Sequence, residues 1–372
     1  MYVCNMAKNR HNFTIAESPV YVGNTALDEL RVQLSSVFGD KDSIFILADE
    51  NTHTQCLPLL VGEVPQLAKA HEIVIPAGEA HKTVQTCEKV WNQLAVSGAN
   101  RRSLLINLGG GMISDLGGFA GSVFHRGMDF INIPTSLMAM VDASHGGKNG
   151  VDLYSLKNQI GLFKVPAATY VWPNFLKTLP LRQRLSGYAE MMKHALIADQ
   201  GYWNRLIKVP MAVIVDWEPL IIDAIQIKAD IVNSDPLEQG LRMKLNFGHT
   251  IGHAFETWSL RNDDDPLTHG EAIAMGMICE AYISYRTTGL NLVQRDEVVK
   301  QLLLNFNHYK IPTTAIDELV EITNYDKKNL KGRMMLTLLR DIGNAVHSQQ
   351  CDPAIIRESL FRFTDFGRLS EV

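Results

Sequence analysis

Along the first half of the chain, short apolar runs alternate with stretches whose apolar positions recur every three or four residues. SIFILADE (43–50) and HEIVIP (71–76) read as strands, and Val84, Cys87, Val90, Trp91 and Leu94 fall at helical spacing between Thr83 and Val96. SLLINLGGG (103–111) reads as a buried strand running into glycines, MDFINIP (128–134) as another closed by proline, and ATYVWP (168–173) as the last. Continuous apolar strands separated by helices imply a parallel α/β sheet covered on both faces. Beyond about Pro173 the pattern changes. LRQRLSGYAEMMKHALIA (181–198), PLIIDAIQIKADIVN (219–233), NFGHTIGHAFETW (246–258) and GEAIAMGMICEAYISYRTTG (270–289) all read as helices, with few strand signals after them. The pattern predicts an α/β domain over residues 1–175 and a mostly α-helical domain over 176–372, divided within the proline-punctuated stretch Pro166 to Pro180.

Composition narrows this picture without changing it. A chain of 372 residues is too long for one ordinary core, which agrees with two domains. A formal charge of −5 gives no reason to expect a nucleic-acid or acidic-membrane partner. The longest apolar runs are strand-sized, far short of a membrane span. Met1 leads into Tyr2, Val3 and Cys4 with no basic stretch and hydrophobic segment following, so no secretory leader is expected. The five cysteines are odd in number and scattered, as free thiols in a reducing cytoplasm would be. Any metal here is therefore held by nitrogen and oxygen.

Four segments carry candidate chemistry. In NLGGGMISDLGGF (107–119) a strand meets glycines that open a helix, an arrangement suited to a phosphate. It approaches the GxGxxG fingerprint with Ser114 in the third glycine position, and a tight structural turn is the plainer alternative. MVDASHGGKNGVDLYSLKNQIG (140–161) sets Asp142, Lys148, Lys157 and Asn158 among glycines in an expected loop, with donors suited to phosphate or carboxylate. In SGYAEMMKH (186–194), Glu190 stands three and four residues before Lys193 and His194; taken alone this reads best as an ordinary helical ion pair. Finally, HTIGH places His249 and His253 one turn apart on one face without the glutamate of HExxH, and His269 opens the next helix. Two ring nitrogens and one carboxylate suit zinc with open positions, and these residues leave the oxygen ligand open between Glu190 and Asp263 to Asp265.

Together these pieces resemble the 3-dehydroquinate synthase branch of the sugar phosphate cyclase family. The resemblance runs in order through PAGEAHKT, GGGMISDLGGF, FHRG, NIPTSLMAMVDASHGGKNGVD, LKNQIG, GYAEMMKH, LRMKLNFGHTIGHAFE, THGEA and YDKK. It implies a Rossmann-like NAD-binding domain followed by a helical domain. It also implies NAD held by Asp49, Glu79, Lys82, Gly110, Gly111, Met112, Asp115, Thr135, Ser136, Lys157 and Thr178. The implied metal, zinc with cobalt as an alternative, has Glu190, His249 and His269 as ligands, which leaves His253 for proton transfer. Implied substrate contacts are Asp142, Lys148, Asn158, Lys193, Lys228, Arg242, Asn246 and one of Lys327 and Lys328; Glu238 matches a further acid/base position. Arg126 is expected to reach a neighbouring subunit, which implies a homodimer. The implied reaction converts 3-deoxy-D-arabino-heptulosonate 7-phosphate to 3-dehydroquinate and phosphate. It runs by transient oxidation with NAD, phosphate elimination, re-reduction and intramolecular aldol closure. The alternatives are another sugar phosphate cyclase and a metal-dependent polyol dehydrogenase. Departures from the family pattern are Asn149 where threonine is common, Ser136 for a second threonine, and His125 in FHRG.

Overall fold

The computed structural model describes residues 11–154, 156–324 and 334–369. The strands are β1 (His11–Ile15), β2 (Ser18–Val22), β3 (Ile44–Asp49), β4 (His71–Ile75), β5 (Leu104–Gly109), β6 (Asp129–Pro134), β7 (Lys148–Leu153), β8 (Leu156–Phe163), β9 (Thr169–Val171), β10 (Met334–Asp341) and β11 (Asn344–Cys351). The α-helices are α1 (Ala26–Ser35), α2 (Glu50–Gln55), α3 (Leu57–Glu63), α4 (Val84–Val96), α5 (Gly111–Val123), α6 (Leu181–Ala198), α7 (Gln200–Lys208), α8 (Glu218–Ser234), α9 (His249–Asn262), α10 (His269–Thr287), α11 (Leu292–Asn305), α12 (Ile316–Asn324) and α13 (Pro353–Leu369). No helix among the described residues is long and apolar enough to cross a membrane.

The chain forms two compact units. The first spans residues up to Pro180 and adds Trp217–Asn233, the body of α8. A single cut near residue 175 assigns α8 by its place in the sequence, whereas its Asn233 side chain bonds Thr14 O and Ala16 N beside β1. The unit is built on a seven-stranded sheet of order β1-β2-β9-β6-β5-β3-β4, parallel except for the β1–β2 pair. Every residue of β5 is buried, as a central strand covered on both faces requires. β3 leads to β4 on one side and β5 lies on the other, so the chain reverses direction across the sheet between β3 and β5. In such sheets ligands bind beyond the carboxyl ends of the strands at this point.

Much of the segment 140–161, expected in a loop, instead lies in β7 and β8, which pair antiparallel. Gly150 and Gly161 face each other across this pair, and a Cβ on either would lie within 2.6 Å of the partner backbone. Asn149 pins the hairpin through Nδ2 bonds to Gly147 O (3.0 Å) and Lys164 O (2.6 Å), and it packs against Gly118 of α5. The departure at Asn149 thus lies in the support of Lys148.

The second unit comprises Leu181–Asp216 and residues from Ser234 onward. It is mostly helical, with one addition that the pattern missed, the antiparallel hairpin β10–β11. Its centre is the packing of α9 against α10. A Cβ on Gly276 would fall 2.0 Å from Gly248 O and 2.5 Å from Gly252 N, so the two backbones approach where only glycine fits. Gly276→Ala is expected to lower stability by about 2 kcal/mol, because overpacking outweighs the gain in helix propensity. Gly62→Ala in α3, where nothing lies within 4 Å of the added methyl, is expected to be neutral or to stabilise by about 0.5–1 kcal/mol. Urea denaturation of both variants measures the contrast.

Candidate active site

In the first unit, the residues expected to hold NAD gather at the carboxyl edge of the sheet. Asp49 ends β3, Glu79 and Lys82 follow β4, Gly110 to Asp115 follow β5, Thr135 and Ser136 follow β6, and Thr178 follows β9. Asp49 is the N-cap of α2, its Oδ1 accepting from Asn51 N and Thr52 N at 2.9 Å. Gly110 caps α5 without a side chain, which leaves the first-turn amides of α5 to an outside acceptor. Close approach is built in, since a Cβ on Gly109 would strike Ile113 at 2.5 Å, and one on Gly110 would meet Ser136 Oγ at 3.2 Å. Thr178 Oγ1 donates to Phe175 O and lies 3.9 Å from the Cys56 thiol.

Beside this edge sits a buried lysine. Lys82 is 3% exposed; its ammonium donates to Asp115 Oδ2 at 2.5 Å and Asn158 Oδ1 at 2.8 Å, with Glu79 at 3.7 Å. Burial favours the neutral amine, but Asp115, Glu79 and Asp152 outweigh it and hold Lys82 above its ordinary value. Lys157 lies 3.8 Å from Glu79, so five of the expected contact residues belong to one network. Asn158 adopts a positive φ of 51°, fixed by its amide bonding Asp152 Oδ1 at 2.6 Å. Lys228 of α8 pairs directly with Asp142. Lys148 and Arg126 are exposed, and His125 and Arg126 both have left-handed backbones, with φ of 48° and 64°.

In the second unit, three helices converge. Glu190 of α6 is fully buried; the Lys193 ammonium lies against its Oε2, yet neither carboxylate oxygen accepts a directed hydrogen bond from any described residue. Nε2 of His249 lies 3.8 Å and Nε2 of His269 3.7 Å from Glu190 Oε1. Donor atoms of these three residues fall within 4.8 Å of one another, a set that could hold a metal ion. The other ring nitrogen of His249 lies 3.1 Å from Phe247 O, and that of His269 lies 3.5 Å from Glu256 Oε1. A buried carboxylate with an ammonium against one oxygen and two imidazoles facing the other fits a divalent cation with open positions. The His253 ring stands 5.4 Å from that of His249 and 5.8 Å from that of His269.

The acidic loop has other work. Asp263 accepts from Ser259 Oγ and Tyr309 OH, both at 2.5 Å, and Asp265 pairs with Arg182 at 2.6 Å. Of the two sources of a carboxylate that the motif left open, only Glu190 stands with the histidines in the candidate sets.

Sequence reasoning missed the residues that aim these groups. Glu280, fully buried in α10, accepts from Gly248 N at 2.6 Å and Ile251 N at 3.4 Å, capping the start of α9 where His249 stands. Thr268 and Glu271 form a capping box at the start of α10, and Arg182 grips Glu271 with bonds of 2.8 to 3.2 Å. A lone glutamate in AIAMGMICEAYI and the T-x-x-E spacing of THGE were the available signals. Glu256 lies seven residues after His249, on the same helical face.

Asp235 organises the segment of Glu238, Arg242 and Asn246. Its carboxylate accepts from Gln239 N (2.9 Å), Gly240 N (2.8 Å) and Arg242 N (3.0 Å), which holds Glu238 at a φ of 58°. Asn246 Nδ2 then donates to Glu238 Oε1 at 3.2 Å, while the buried Arg242 donates to Pro236 O at 2.5 Å. Lys327 and Lys328 lie outside the described residues.

Models of the 3-dehydroquinate synthase N-terminal and C-terminal regions match residues 72–186 and 187–329. A 3-dehydroquinate synthase of Parabacteroides distasonis is 39% identical over 358 residues, covering 96% of this chain and 99% of that protein. The chain belongs to the 3-dehydroquinate synthase family. Two solved structures share its fold. They are a 2-deoxy-scyllo-inosose synthase complexed with carbaglucose-6-phosphate, NAD+ and Co2+ (TM-score 0.81, 23% identity, 96% of this chain and 99% of that one) and the 2-epi-5-epi-valiolone synthase of Streptomyces hygroscopicus with NAD+ and Zn2+ bound (TM-score 0.73, 22% identity, 89% and 95%).

Although some burial opposes it, the three backbone N–H groups hold the Asp235 carboxyl below the usual 3.8. Its folded value is depressed, so its stabilisation is present above about pH 3.8 and is lost as pH falls through the lower folded value. The stability difference between the wild type and Asp235→Ala, followed by urea melts from pH 7 to pH 3, is expected to shrink only at the acid end.

Proposed function

We propose that this chain is a 3-dehydroquinate synthase of the shikimate pathway, releasing phosphate from 3-deoxy-D-arabino-heptulosonate 7-phosphate and closing the carbocycle of 3-dehydroquinate. The observation that carries the reading is the convergence of Glu190, His249 and His269 in a chain of this family. The NAD+ and Co2+ or Zn2+ of the two solved structures support the same pair of cofactors here.

Glu190, His249 and His269 hold the metal in this reading, and the carboxyl edge from Asp49 to Thr178 holds NAD. When bound, NAD supplies a reversible hydride acceptor and the metal polarises a carbinol oxygen. The remaining work belongs to the chain. Lys148, Asn158, Lys193, Lys228, Arg242 and Asn246 supply donors to the phosphate and carboxylate of the substrate. Asp142 holds the Lys228 ammonium in place, and Glu238 orients the Asn246 amide. His253 stands beside both histidine ligands without being needed as one, and an imidazole exchanges protons near neutral pH. Arg126, on its left-handed turn, completes the site of a second subunit in a cytoplasmic homodimer.

A different sugar phosphate cyclase is the nearest competing reading, favoured by the fold shared with the inosose and valiolone synthases. Those similarities stand at 22–23% identity, against 39% to a 3-dehydroquinate synthase over nearly the whole of both chains. A substrate without a carboxylate would also leave the Arg242 and Asn246 cluster without a purpose.

With 3-deoxy-D-arabino-heptulosonate 7-phosphate, zinc and trace NAD, the protein is expected to release phosphate and form 3-dehydroquinate with no net NADH. Net NADH from a simple polyol, with no phosphate released, would sink the assignment. His253→Ala is expected to keep its metal content while turnover falls by roughly a hundredfold or more. Loss of stoichiometric metal in that variant would make His253 a ligand.

A further inference from the structure

His269 belongs to two overlapping donor groups. Glu190, His249 and His269 form one, and His253, Glu256 and His269 form the other. The two groups use opposite nitrogens of the shared ring: Nε2 faces Glu190 Oε1 at 3.7 Å, and Nδ1 faces Glu256 Oε1 at 3.5 Å. A neutral imidazole offers one lone pair and one N–H, so the choice of metal position fixes the tautomer. A metal beside Glu190 takes Nε2, and the proton is then on Nδ1, facing the buried Glu256 carboxylate.

We propose that Glu256 is a positioning residue of the metal centre, acting through His269. Its carboxylate accepts a hydrogen bond from Nδ1–H, keeps the Nε2 lone pair toward the metal and makes the ring a stronger donor. The two histidine ligands are therefore set by different means. His249 has a backbone carbonyl, Phe247 O, at its Nδ1, whereas His269 has a full negative charge. The carboxylate is buried, one turn beyond His253 on α9, where the glycine contacts with α10 fix the spacing of the two helices. A charged partner strengthens a ligand more than a neutral one, so His269 is the ligand whose strength the protein tunes.

This inference rests on the metal reading of the site, and metal binding by the apo protein tests both. Wild type, Glu256→Gln, Glu256→Ala, His253→Ala and Glu190→Gln are titrated with Zn2+ against a chromophoric chelator, then loaded with Co2+ for visible absorption. Glu256→Ala is expected to lose about 10- to 100-fold in Zn2+ affinity and to shift the Co2+ bands. Glu256→Gln, whose amide oxygen still accepts a hydrogen bond from Nδ1–H, should lose less, and His253→Ala should match the wild type in both readings. Should Glu256→Ala fail to fold, the isosteric Gln variant decides on its own by the same two readings. Affinity and spectrum unchanged in every Glu256 variant that folds would overturn the proposal. Loss of binding in both Glu256→Gln and His253→Ala, with Glu190→Gln still binding, would make Glu256 a ligand and overturn it equally. A wild type that binds no metal defeats the site reading and the inference together; a metal-binding wild type with indifferent Glu256 variants defeats the inference alone.

Discussion

A carboxylate sealed from water must be compensated, and Glu190 imposes that requirement on the helical unit. Stripping an isolated ion of water costs several kcal/mol even after the protein relaxes around it. Lys193, one turn along α6, offsets part of that cost, and the two imidazole Nε2 atoms facing Oε1 offer lone pairs to a cation that would offset more of it. The surroundings of this group are organised accordingly. Glu280 caps α9 at His249, Arg182 and the Thr268–Glu271 box fix α10 at His269, and Gly248, Gly252 and Gly276 bring the two helices within backbone contact. A methyl group on any of those glycines would collide with the facing segment.

The α/β unit solves a different problem with similar means. In the proposed reading the phosphates of NAD would meet the uncapped α5 amides at the carboxyl edge of the sheet, where glycines admit a close approach. Its charged side chains are pre-paired, as Lys82 is with Asp115 and Lys228 with Asp142. Paired groups hold their geometry at the expense of being fully available to a ligand, so a ligand bound there would have to exchange partners with them. Asp235 plays the corresponding part in the helical unit, spending its carboxylate on three backbone amides so that Glu238 and Arg242 start from a fixed turn.

Much of this was legible in the sequence where one rule dominates. Buried parallel strands show as continuous apolar runs, and β3, β5 and β6 start or end within a residue or two of the predicted spans. The hairpin β7–β8 was not legible, because its glycine-rich, charged residues lack an alternating pattern and it is held by Asn149 and glycine contacts instead. The position of α8 was missed for another reason: sequence order does not reveal that Asn233 returns to β1. The histidines divide the same way. HTIGH advertises a neighbouring pair, while the grouping of His249 with the distant His269 and Glu190 depends on the packing of three helices, which spacing cannot express. Glu256 was hidden by its ordinariness, one more glutamate on a helix until His269 is placed against it.

The central claim is that the metal takes two of the three histidines together with Glu190. Zinc-edge X-ray absorption of the metal-loaded protein tests it most directly. The account predicts a shell of nitrogen and oxygen at about 2.0–2.2 Å with the scattering of two imidazoles, unchanged in His253→Ala and reduced to one in His269→Ala. Three imidazoles in the wild type, or a loss of one on removing His253, would contradict it.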